Sequence, residues 1–336
     1  MKGFDKLSAN GEGDSPDARL RNRIVREGSI SVSDYMAEAN AHYYATRDPL
    51  GAEGDFTTAP EISQMFGELV GVWLADLWSR ARASAGAYYV EIGPGRGTLA
   101  QDALRAMSGA GLAPRVELVE TSPVLRRAQA QRVSACWHDD LSTLPAEGPL
   151  LVVANEFFDA LPVHQYGADG RELRVGLHEG RFFRDGEAAR ETSPASLAIV
   201  ADLARRIAAQ GGAALVVDYG PLRGTPADTL QAMSRHAFAD PFEAPGERDL
   251  TAHVDFDALG GAARGEGVRV VGPVEQGAWL KAMGIDLRAA ALARGAPERT
   301  ADIMADRDRL TAADQMGRLF KVMALVARDW PQPAGF

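Results

Sequence analysis

The sequence predicts an α/β protein built around parallel strands, and two features of the chain carry this prediction. Short apolar runs typical of buried strands alternate with segments of helical periodicity, which indicates layers of helix and sheet. The run at residues 87–92 leads directly into three glycines at alternate positions, as in a turn between a strand and a helix. With 336 residues, 46% of them hydrophobic, the chain can bury a large core, in one large domain or in a domain with additions.

The N-terminal part is predicted to become helical after a loose start. Residues 1–28 are polar, charged and contain glycine, so we expect a flexible terminus. Ser33 is placed to cap a helix that runs through Ala45. After a loop that contains proline and glycine, Pro60 begins a second helix, whose apolar residues recur at three- and four-residue steps. Residues 29–86 therefore form a helical segment ahead of the first strand.

Strands and helices then alternate to the C-terminus. The patterns predict strands at residues 87–92, 115–120, 135–138, 149–155, 213–218, 268–271 and 318–327. They indicate helices at residues 98–107, 122–132, 196–209, 255–264 and 276–313. Two insertions interrupt this order. Residues 163–184 alternate and carry turn signals, which suggests a small antiparallel unit, and residues 220–254 are long enough to form a lid or a binding surface.

The composition disfavours several classes of function. The chain carries a net charge of −10 and has no basic patch, which argues against nucleic-acid binding. No apolar stretch approaches membrane-spanning length. The histidines are scattered without the spacing of metal ligands, so we expect no metal site. Cys136 is the only cysteine, so no internal disulfide can form, and its apolar context indicates a small core residue.

The first residues bear on the location of the protein. They contain no apolar segment, and Asp5, Glu12 and Asp14 argue against a transit peptide. The sequence therefore predicts a cytoplasmic location.

The glycine turn after the first strand is the first candidate site. Gly93, Gly95 and Gly97 follow Glu91, and a backbone without Cβ atoms lets a ligand approach closely. A dinucleotide fingerprint has its third glycine one residue later, and the triphosphate loop is absent. The spacing resembles the first motif of S-adenosylmethionine methyltransferases. On the evidence of this turn alone, a purely structural turn that binds no ligand is about as well supported as a ligand-binding site.

Strand ends supply the second signal. Glu120 follows Gly97 by 23 residues and ends the next strand, where doubly wound folds place the acidic residue that binds ribose hydroxyls. The alternative is an exposed charge at a strand end, and the neighbouring glycine turn favours the ribose role. Asp139 or Asp140 could bind the adenine amino group, although capping of a helix at Leu141 is an equally good interpretation.

The third signal is the stretch Asn155-Glu156-Phe157-Phe158-Asp159-Ala160-Leu161-Pro162. Asn155 and Glu156 end the fourth strand, where the reactive carbon of a methyl donor would lie. We expect Glu156 to be functional, the two phenylalanines to be core residues, and Asp159 to be a turn acid or a ligand. His253 could be a base or an orienting donor, although an ordinary loop histidine explains it somewhat better. Residues 54–58 could fold over the donor.

The chain resembles the MidA family from about residue 30 to the C-terminus. The stretch at residues 155–162 is the most specific match, and further matches lie at residues 54–63, 91–99, 119–123, 218–220, 228–231, 253–256 and 316–321. The resemblance implies a class I methyltransferase fold, which is Rossmann-like and doubly wound, with a mostly parallel seven-stranded sheet and an antiparallel last strand. It also implies a methyltransferase domain over residues 87–336, with insertions at about 163–184 and 220–254, whose cofactor site residues 29–86 cover.

The resemblance also implies a cofactor and an acceptor. The donor is S-adenosylmethionine, the product is S-adenosylhomocysteine, and the acceptor is a protein arginine. In the mitochondrial relative this acceptor belongs to a subunit of respiratory complex I. Carried to this sequence, the resemblance places Gly93, Gly95 and Gly97 beside the donor and Glu120 at its ribose. The residues expected to bind the cofactor are together Glu91, Gly93, Gly95, Gly97, Glu120, Ser122, Asp139, Asp140 and Asn155.

An arginine acceptor makes its own chemical demands. A guanidinium is a planar cation of very high pKa and a weak nucleophile, and a carboxylate can bind two of its N–H groups. Glu156 is the first candidate for this contact and Asp159 the second, and the lost proton could pass to a carboxylate or to His253. Two alternatives stay open: a small-molecule methyltransferase, and an assembly factor that binds S-adenosylmethionine without catalysis. A dehydrogenase comes third because the glycine spacing counts against it.

Overall fold

The computed structural model describes residues 15–46, 57–83, 86–224, 227–234 and 237–336. The N-terminal part is helical apart from one short strand. Its elements are α1 (Pro16–Glu27), β1 (Ile30–Ser31), α2 (Val32–Thr46), α3 (Ala59–Ile62) and α4 (Gln64–Arg80).

Strands and helices alternate through the middle of the chain. The first group comprises β2 (Tyr88–Ile92), α5 (Thr98–Gly109), β3 (Arg115–Val119), α6 (Pro123–Ala130), β4 (Cys136–His138) and β5 (Leu150–Asn155). The first insertion and the elements after it comprise β6 (His164–Tyr166), β7 (Arg174–His178), β8 (Arg181–Arg184), β9 (Arg190–Thr192), α7 (Pro194–Gln210) and β10 (Gly212–Tyr219).

The second insertion and the C-terminal part complete the fold. The insertion contains β11 (Gln231–Ser234), β12 (Ala237–Ala239) and β13 (Asp249–Thr251). The remaining elements are α8 (Phe256–Gly265), β14 (Arg269–Glu275), α9 (Gln276–Ala282), α10 (Ile285–Gly295), α11 (Thr300–Thr311), α12 (Met316–Leu319) and β15 (Phe320–Val326).

A seven-stranded sheet organises these elements, in the order β14-β15-β10-β5-β2-β3-β4. The pairs from β10 to β4 are parallel, whereas β15 runs antiparallel to both β10 and β14. Every residue of β10 and of β15 is buried, as expected for central strands covered by helices on both faces. The expected α/β fold with an antiparallel last strand is confirmed.

The molecule has two apolar cores. The larger core fills the space between the seven-stranded sheet and its helices. The second core joins α1 and α2 to both insertions, through residues such as Leu20, Tyr35, Met36, Val175, Phe182 and Leu250. The N-terminal helices and the insertions therefore form one packed body beside the sheet, since they share buried side chains.

Part of the predicted loose terminus is ordered. The expectation for residues 1–28 fails over α1, because Leu20 and Ile24 are buried in the second core and the Ser15 hydroxyl caps the helix by accepting from the Ala18 N–H. Ser31 rather than Ser33 caps α2, since its hydroxyl accepts from the Asp34 N–H at 2.9 Å. Neither feature is visible from composition, which makes the segment look polar.

The edges of the fold depart from the predictions in two further ways. The long connection after β10 contains a small antiparallel sheet, ordered β12-β11-β13, where the sequence predicted a loop. Cys136 is exposed rather than buried, because β4 is the last strand of the seven-stranded sheet. In the described ranges, no helix combines the length and the hydrophobicity that crossing a membrane requires.

Candidate active site

A cleft of about 640 Å³ opens at the carboxyl ends of β2, β3 and β5, and α2 supplies one of its walls. The parallel strands bring their last residues to this edge, where open α/β sheets bind ligands. The lining includes all the predicted site residues except Gly97, Asp159 and His253. The cleft has two sides. The glycine side comprises Glu91, Gly93, Gly95, Glu120, Ser122, Asp139 and Asp140, and the Glu156 side comprises Asn40, Tyr44, Asn155, Glu156 and Leu161.

The glycine turn presents bare backbone to the cleft. Gly93, Gly95 and Gly97 have φ values of 64°, 52° and 80°, in the left-handed region that favours glycine. A Cβ atom at Gly93 would lie 3.0 Å from the ring of Phe157. Gly97 does not line the cleft, but it closes the turn by donating its N–H to the Pro94 carbonyl at 2.8 Å, and α5 begins at the next residue.

Glu120 is fixed by the helix that follows it. One carboxylate oxygen accepts the Ser122 N–H at 2.8 Å, and the other accepts from the Gln129 side chain at 3.2 Å. Burial raises the pKa of Glu120, although the Ser122 N–H opposes this shift. The Ser122 hydroxyl caps α6 by accepting from the Leu125 N–H. The carboxylate is therefore oriented at the position predicted for a ribose ligand.

Gln129, which the sequence analysis did not single out, positions two parts of the glycine side. It is fully buried, and its amide nitrogen donates to the Gly95 carbonyl at 2.7 Å as well as to Glu120. Its amide oxygen accepts from the Trp137 indole at 2.8 Å. One side chain thus ties the glycine turn to the end of β3. The sequence carried a signal for its burial, because Gln129 lies four positions after the apolar Leu125 and therefore on the same face of α6.

Three acidic residues complete the glycine side. Glu91 is buried and accepts from the Tyr89 hydroxyl at 2.6 Å, and burial raises its pKa to about 8. Asp139 is exposed at the rim and pairs with Arg126 at 2.6 Å. Asp140 caps the 3₁₀ turn Leu141–Thr143 by accepting from the Ser142 N–H, so the capping interpretation holds for this residue while it also lines the cleft.

Glu156 dominates the other side of the cleft. It adopts a left-handed conformation with φ of 51°, and its N–H donates to the Val217 carbonyl at 2.8 Å. Its carboxylate accepts from the Ala59 N–H and from the Asn155 side chain, both at 3.2 Å. Burial, together with the nearby charge of Asp218, raises its pKa to about 8, and the Ala59 N–H partly offsets the shift. The carboxyl end of β5 therefore holds an acid that is costly to ionise.

Asp218 shapes the turn that presents Glu156. It is fully buried at the end of β10, and one of its oxygens accepts the N–H groups of Phe157, Phe158 and Asp159 at 3.2, 2.9 and 3.4 Å. The strained φ of Glu156 persists because these hydrogen bonds fix the following residues. In the sequence, Asp218 stood out as a polar residue at a strand end and as part of the family match at residues 218–220, with no such role assigned to it.

Asp159 and His253 are not brought into the cleft. Asp159 is buried behind the wall, because the turn points it toward Asp218, and burial and that charge raise its pKa. His253 lines a separate cavity of about 70 Å³, where its ring packs edge-on against Tyr219. Burial lowers its pKa. The structure therefore gives no support to these two as direct ligand and base. Of the two phenylalanines, Phe158 is buried as predicted, whereas Phe157 lines the cleft.

Helix α2 closes the Glu156 side. The Asn40 side chain donates to the carbonyls of Ala160 and Leu250 at 2.9 and 2.8 Å, and the Tyr44 hydroxyl donates to Asp249 at 2.7 Å. These bonds attach α2 to the turn after β5 and to the second insertion. The predicted cover at residues 54–58 falls partly outside the described residues, but Thr58 lines the cleft.

The residues present fit a nucleoside joined to an amino acid. The glycine side offers bare backbone and a fixed carboxylate for a diol, and the cavity is large enough for a ligand of that size. The buried Oδ1 of Asn155 has no hydrogen-bond partner in the described residues, so it can accept from a ligand. Nowhere in the described ranges do three His, Cys, Asp or Glu side chains gather to hold a metal ion.

Comparison with known proteins identifies relatives of the whole chain. The mitochondrial protein arginine methyltransferase NDUFAF7 of Xenopus tropicalis is 35% identical over 94% of this chain and 87% of its own length. The Drosophila melanogaster homolog is 37% identical over 91% of this chain and 84% of its own. The human protein is 35% identical over 91% and 82%.

These relatives correct the predicted location. They are named as mitochondrial proteins, so the prediction of a cytoplasmic location conflicts with them and is wrong by this comparison. The reasoning failed because it took the composition of a terminal segment as evidence for a compartment.

Solved structures and a family model support the assignment of the cleft to S-adenosylmethionine. A Burkholderia thailandensis protein crystallised with S-adenosylhomocysteine gives a TM-score of 0.81 at 27% identity, over 95% of this chain and 93% of that one. A native structure from the same organism gives 0.77 at 27% identity, over 95% of both chains. The model of a family of S-adenosyl-L-methionine-dependent methyltransferases matches residues 69–183 and 181–274. The chain belongs to this family, as its resemblance to MidA implied, and it is an enzyme that uses S-adenosylmethionine as its cofactor.

Proposed function

We propose that this enzyme methylates the guanidinium group of an arginine in a protein substrate, and that a subunit of respiratory complex I is that substrate. The observation that carries the proposal is the Glu156 carboxylate. It lines the cleft and is half-buried, and no described basic side chain lies within ion-pair distance of it. The names of the relatives, which are protein arginine methyltransferases, support the same acceptor.

The charges around Glu156 favour a cationic acceptor. Asp218 and Asp249 both raise its pKa by their proximity, so the carboxyl lies in a negative potential. Asp159 contributes to the same buried group. A neutral acceptor would leave this repulsion in place, whereas a guanidinium, which stays protonated at all relevant pH values, relieves it. We infer that the buried carboxyl groups of Asp159, Asp218 and Asp249 make the cleft select a cationic acceptor.

Each residue of the Glu156 side then has a task. When bound, S-adenosylmethionine supplies an electrophilic methyl group on a sulfonium sulfur, which retains the bonding electron pair as the thioether of S-adenosylhomocysteine. Glu156 binds two N–H groups of the guanidinium and orients the third nitrogen toward the glycine side. When that nitrogen takes the methyl group, the guanidinium must lose one proton, and the Glu156 carboxylate is placed to accept it from one of the two N–H groups that it binds. Tyr44 and α2 exclude water from the contact.

The test uses a purified complex I subunit incubated with the full chain and S-adenosylmethionine, followed by peptide mass spectrometry. The proposal predicts the mass gain of a methyl group on an arginine, and no gain when that arginine is replaced by lysine. A stable complex with the subunit and no mass gain would favour an assembly factor. Turnover of S-adenosylmethionine with small cationic molecules, but with no protein, would favour a small-molecule methyltransferase.

A further inference from the structure

A second groove, of about 720 Å³, lies at the other edge of the seven-stranded sheet from β4. Its floor is β14, and its walls are the end of α8 and the segment that follows β15. The residues that line it include Arg264, Val268, Arg269, Val270, Arg328 and Gln332. The groove is distant in the sheet from the cleft, because β15, β10 and β5 separate β14 from β2.

The three arginines of this groove carry no counter-ion in the described part of the chain. Arg264 forms neither a hydrogen bond nor an ion pair there, and a Cβ atom at Gly260 would lie 3.4 Å from both its guanidinium and Val270. Arg328 donates from Nε to the Gly267 carbonyl at 2.7 Å, which leaves its two terminal nitrogens available. The lining contains no acidic residue.

Arg269 has a different position within the groove. Its guanidinium binds the Trp330 and Pro331 carbonyls and the Gln332 side chain, and these bonds hold the C-terminal segment against β14. Its buried Nε has no partner in the described residues. Arg269 therefore builds the wall of the groove, while Arg264 and Arg328 present their charges at its opening.

This arrangement is unusual for an acidic chain. The net charge is −10, and the comparable pair Arg105 and Arg288 is neutralised by the buried Glu68 between them and by Asp102, which also pairs with Arg105. Three guanidinium groups beside one another repel, and no acid in the lining relieves that repulsion. An anionic ligand would relieve this repulsion, so the groove is suited to bind an anion.

The floor of the groove indicates what kind of anion fits. β14 pairs with β15 on one side and has no further strand beside it among the described residues. The outer edge of its first three residues, ahead of the irregularity between Val271 and Val274, can therefore accept an extended chain. Val270 and Val271 are only partly buried and give this edge an apolar surface. A small inorganic anion would use the arginines alone, whereas a peptide uses the arginines and the strand edge together.

We propose that this groove binds an extended acidic segment of a partner protein, which lies along β14 and places its carboxylates against Arg264 and Arg328. The site is separate from the cleft and does not depend on which acceptor the enzyme methylates. A partner bound here would stay at high local concentration near the enzyme while its reactive residue enters and leaves the cleft.

The experiment measures binding of a fluorescein-labelled ten-residue peptide of alternating glutamate and valine to the full chain by fluorescence anisotropy. A lysine–valine peptide of the same length is the probe control. The variants are Arg264→Glu and Arg328→Glu, which change exposed side chains and leave the bonds of Arg269 intact. Arg294→Glu on α10 is the matched control, since this arginine is exposed, lies outside the groove and makes no described ion pair. Thermal unfolding checks that all three variants fold.

The proposal predicts that the acidic peptide binds, that the lysine peptide does not, and that affinity falls steeply as salt rises. Each groove variant should weaken binding by about tenfold, the double variant should abolish it, and Arg294→Glu should match the unmodified protein. Equal binding to the groove variants and to Arg294→Glu would overturn the proposal. So would displacement of the peptide by inorganic phosphate at submillimolar concentration, because the groove would then be a simple anion site.

Discussion

Glu120 and Glu156 both end a parallel strand and line the same cleft, yet they are held in opposite ways. Glu120 receives hydrogen bonds from Ser122 and Gln129, which are two and nine residues away along the chain. Glu156 receives its backbone hydrogen bond from Ala59, which is 97 residues away. The glycine side of the cleft is therefore assembled from one stretch of chain, whereas the Glu156 side is assembled from segments that only the fold brings together.

The electrostatics of the two sides differ accordingly. Helix α6 begins beside Glu120, so backbone N–H groups and the helix dipole favour its ionised form against the effect of burial. Glu156 lies near Asp218 and Asp249, which act with burial to disfavour ionisation. The glycine side is therefore arranged to bind a neutral diol. The Glu156 side carries an uncompensated carboxyl group until a cation or a proton binds to it.

The largest expected effect comes from Glu156→Gln, which removes the charge and keeps the shape. Because the glutamine can still accept from the Ala59 N–H, the turn should survive. We expect kcat for arginine methylation to fall by about 10²–10³-fold, as for loss of one charged contact in an active site. Affinity for S-adenosylhomocysteine, measured by calorimetry, should stay within about twofold, since ligand binding on the glycine side does not use this carboxylate.

Glu191→Gln is the matched control for that variant. Glu191 is also a buried carboxylate, bonded to Gln165 and Thr229, but it lines the small cavity around His253 rather than the cleft. Its kcat should remain near that of the unmodified enzyme. If Glu156→Gln turned over as fast as Glu191→Gln, the acceptor role of Glu156 would be excluded.

The second effect concerns the glycine side. Glu120→Ala removes the carboxylate placed for the ribose, and we expect affinity for S-adenosylhomocysteine to fall by about ten- to a hundredfold, or roughly 1.4–2.8 kcal/mol. At saturating S-adenosylmethionine, kcat should recover most of its value, because the Glu156 side is intact. Asp139→Ala changes an exposed rim carboxylate and should weaken binding much less. Equal losses in both variants would contradict the ribose assignment.

The same contrast explains what the sequence could predict. Gly93, Glu120 and the helix that starts near Ser122 were found because each belongs to a local pattern, a strand followed by a turn and a helix. The mostly parallel seven-stranded sheet and its antiparallel last strand came from the family resemblance and are confirmed. Helix boundaries were close because capping residues and apolar periodicity mark them.

Two of the residues that the sequence missed, Asn40 and Tyr44, act across long separations. Tyr44 reaches Asp249 over 205 positions, and Asn40 reaches Leu250 over 210. No pattern within one segment predicts such a contact, since each residue taken alone is an ordinary polar group on a helix. The same reason explains why Asp159, the second candidate for the guanidinium contact, lies outside the cleft: burial and the charge of Asp218, a residue of another strand, raise its pKa.

The third effect is a pH dependence on the Glu156 side. The pKa of Glu156 is raised to about 8, so the carboxyl is protonated at lower pH and cannot bind the guanidinium. We expect kcat/KM for the acceptor to rise about tenfold per pH unit up to about pH 8 and then to level off. The same shift lowers the free energy of unfolding as the pH rises toward 8, because the unfolded chain ionises this group first. Glu156→Gln should remove the limb that Glu156 causes; an unchanged profile in this variant would assign the titration to another group.

The smallest effect should come from Tyr44→Phe, which tests whether the wall supplied by α2 serves only the Glu156 side. The change removes the hydroxyl that donates to Asp249 at 2.7 Å and keeps the ring in the cleft lining. Loss of one hydrogen bond to a carboxylate should raise KM for the acceptor by about threefold to tenfold. Affinity for S-adenosylhomocysteine should not change, because Glu120, Gln129 and the glycine turn are fixed by bonds among themselves. If donor affinity fell together with acceptor affinity, α2 would couple the two sides, and the cleft would have to be treated as one cooperative unit rather than as two independently built sites.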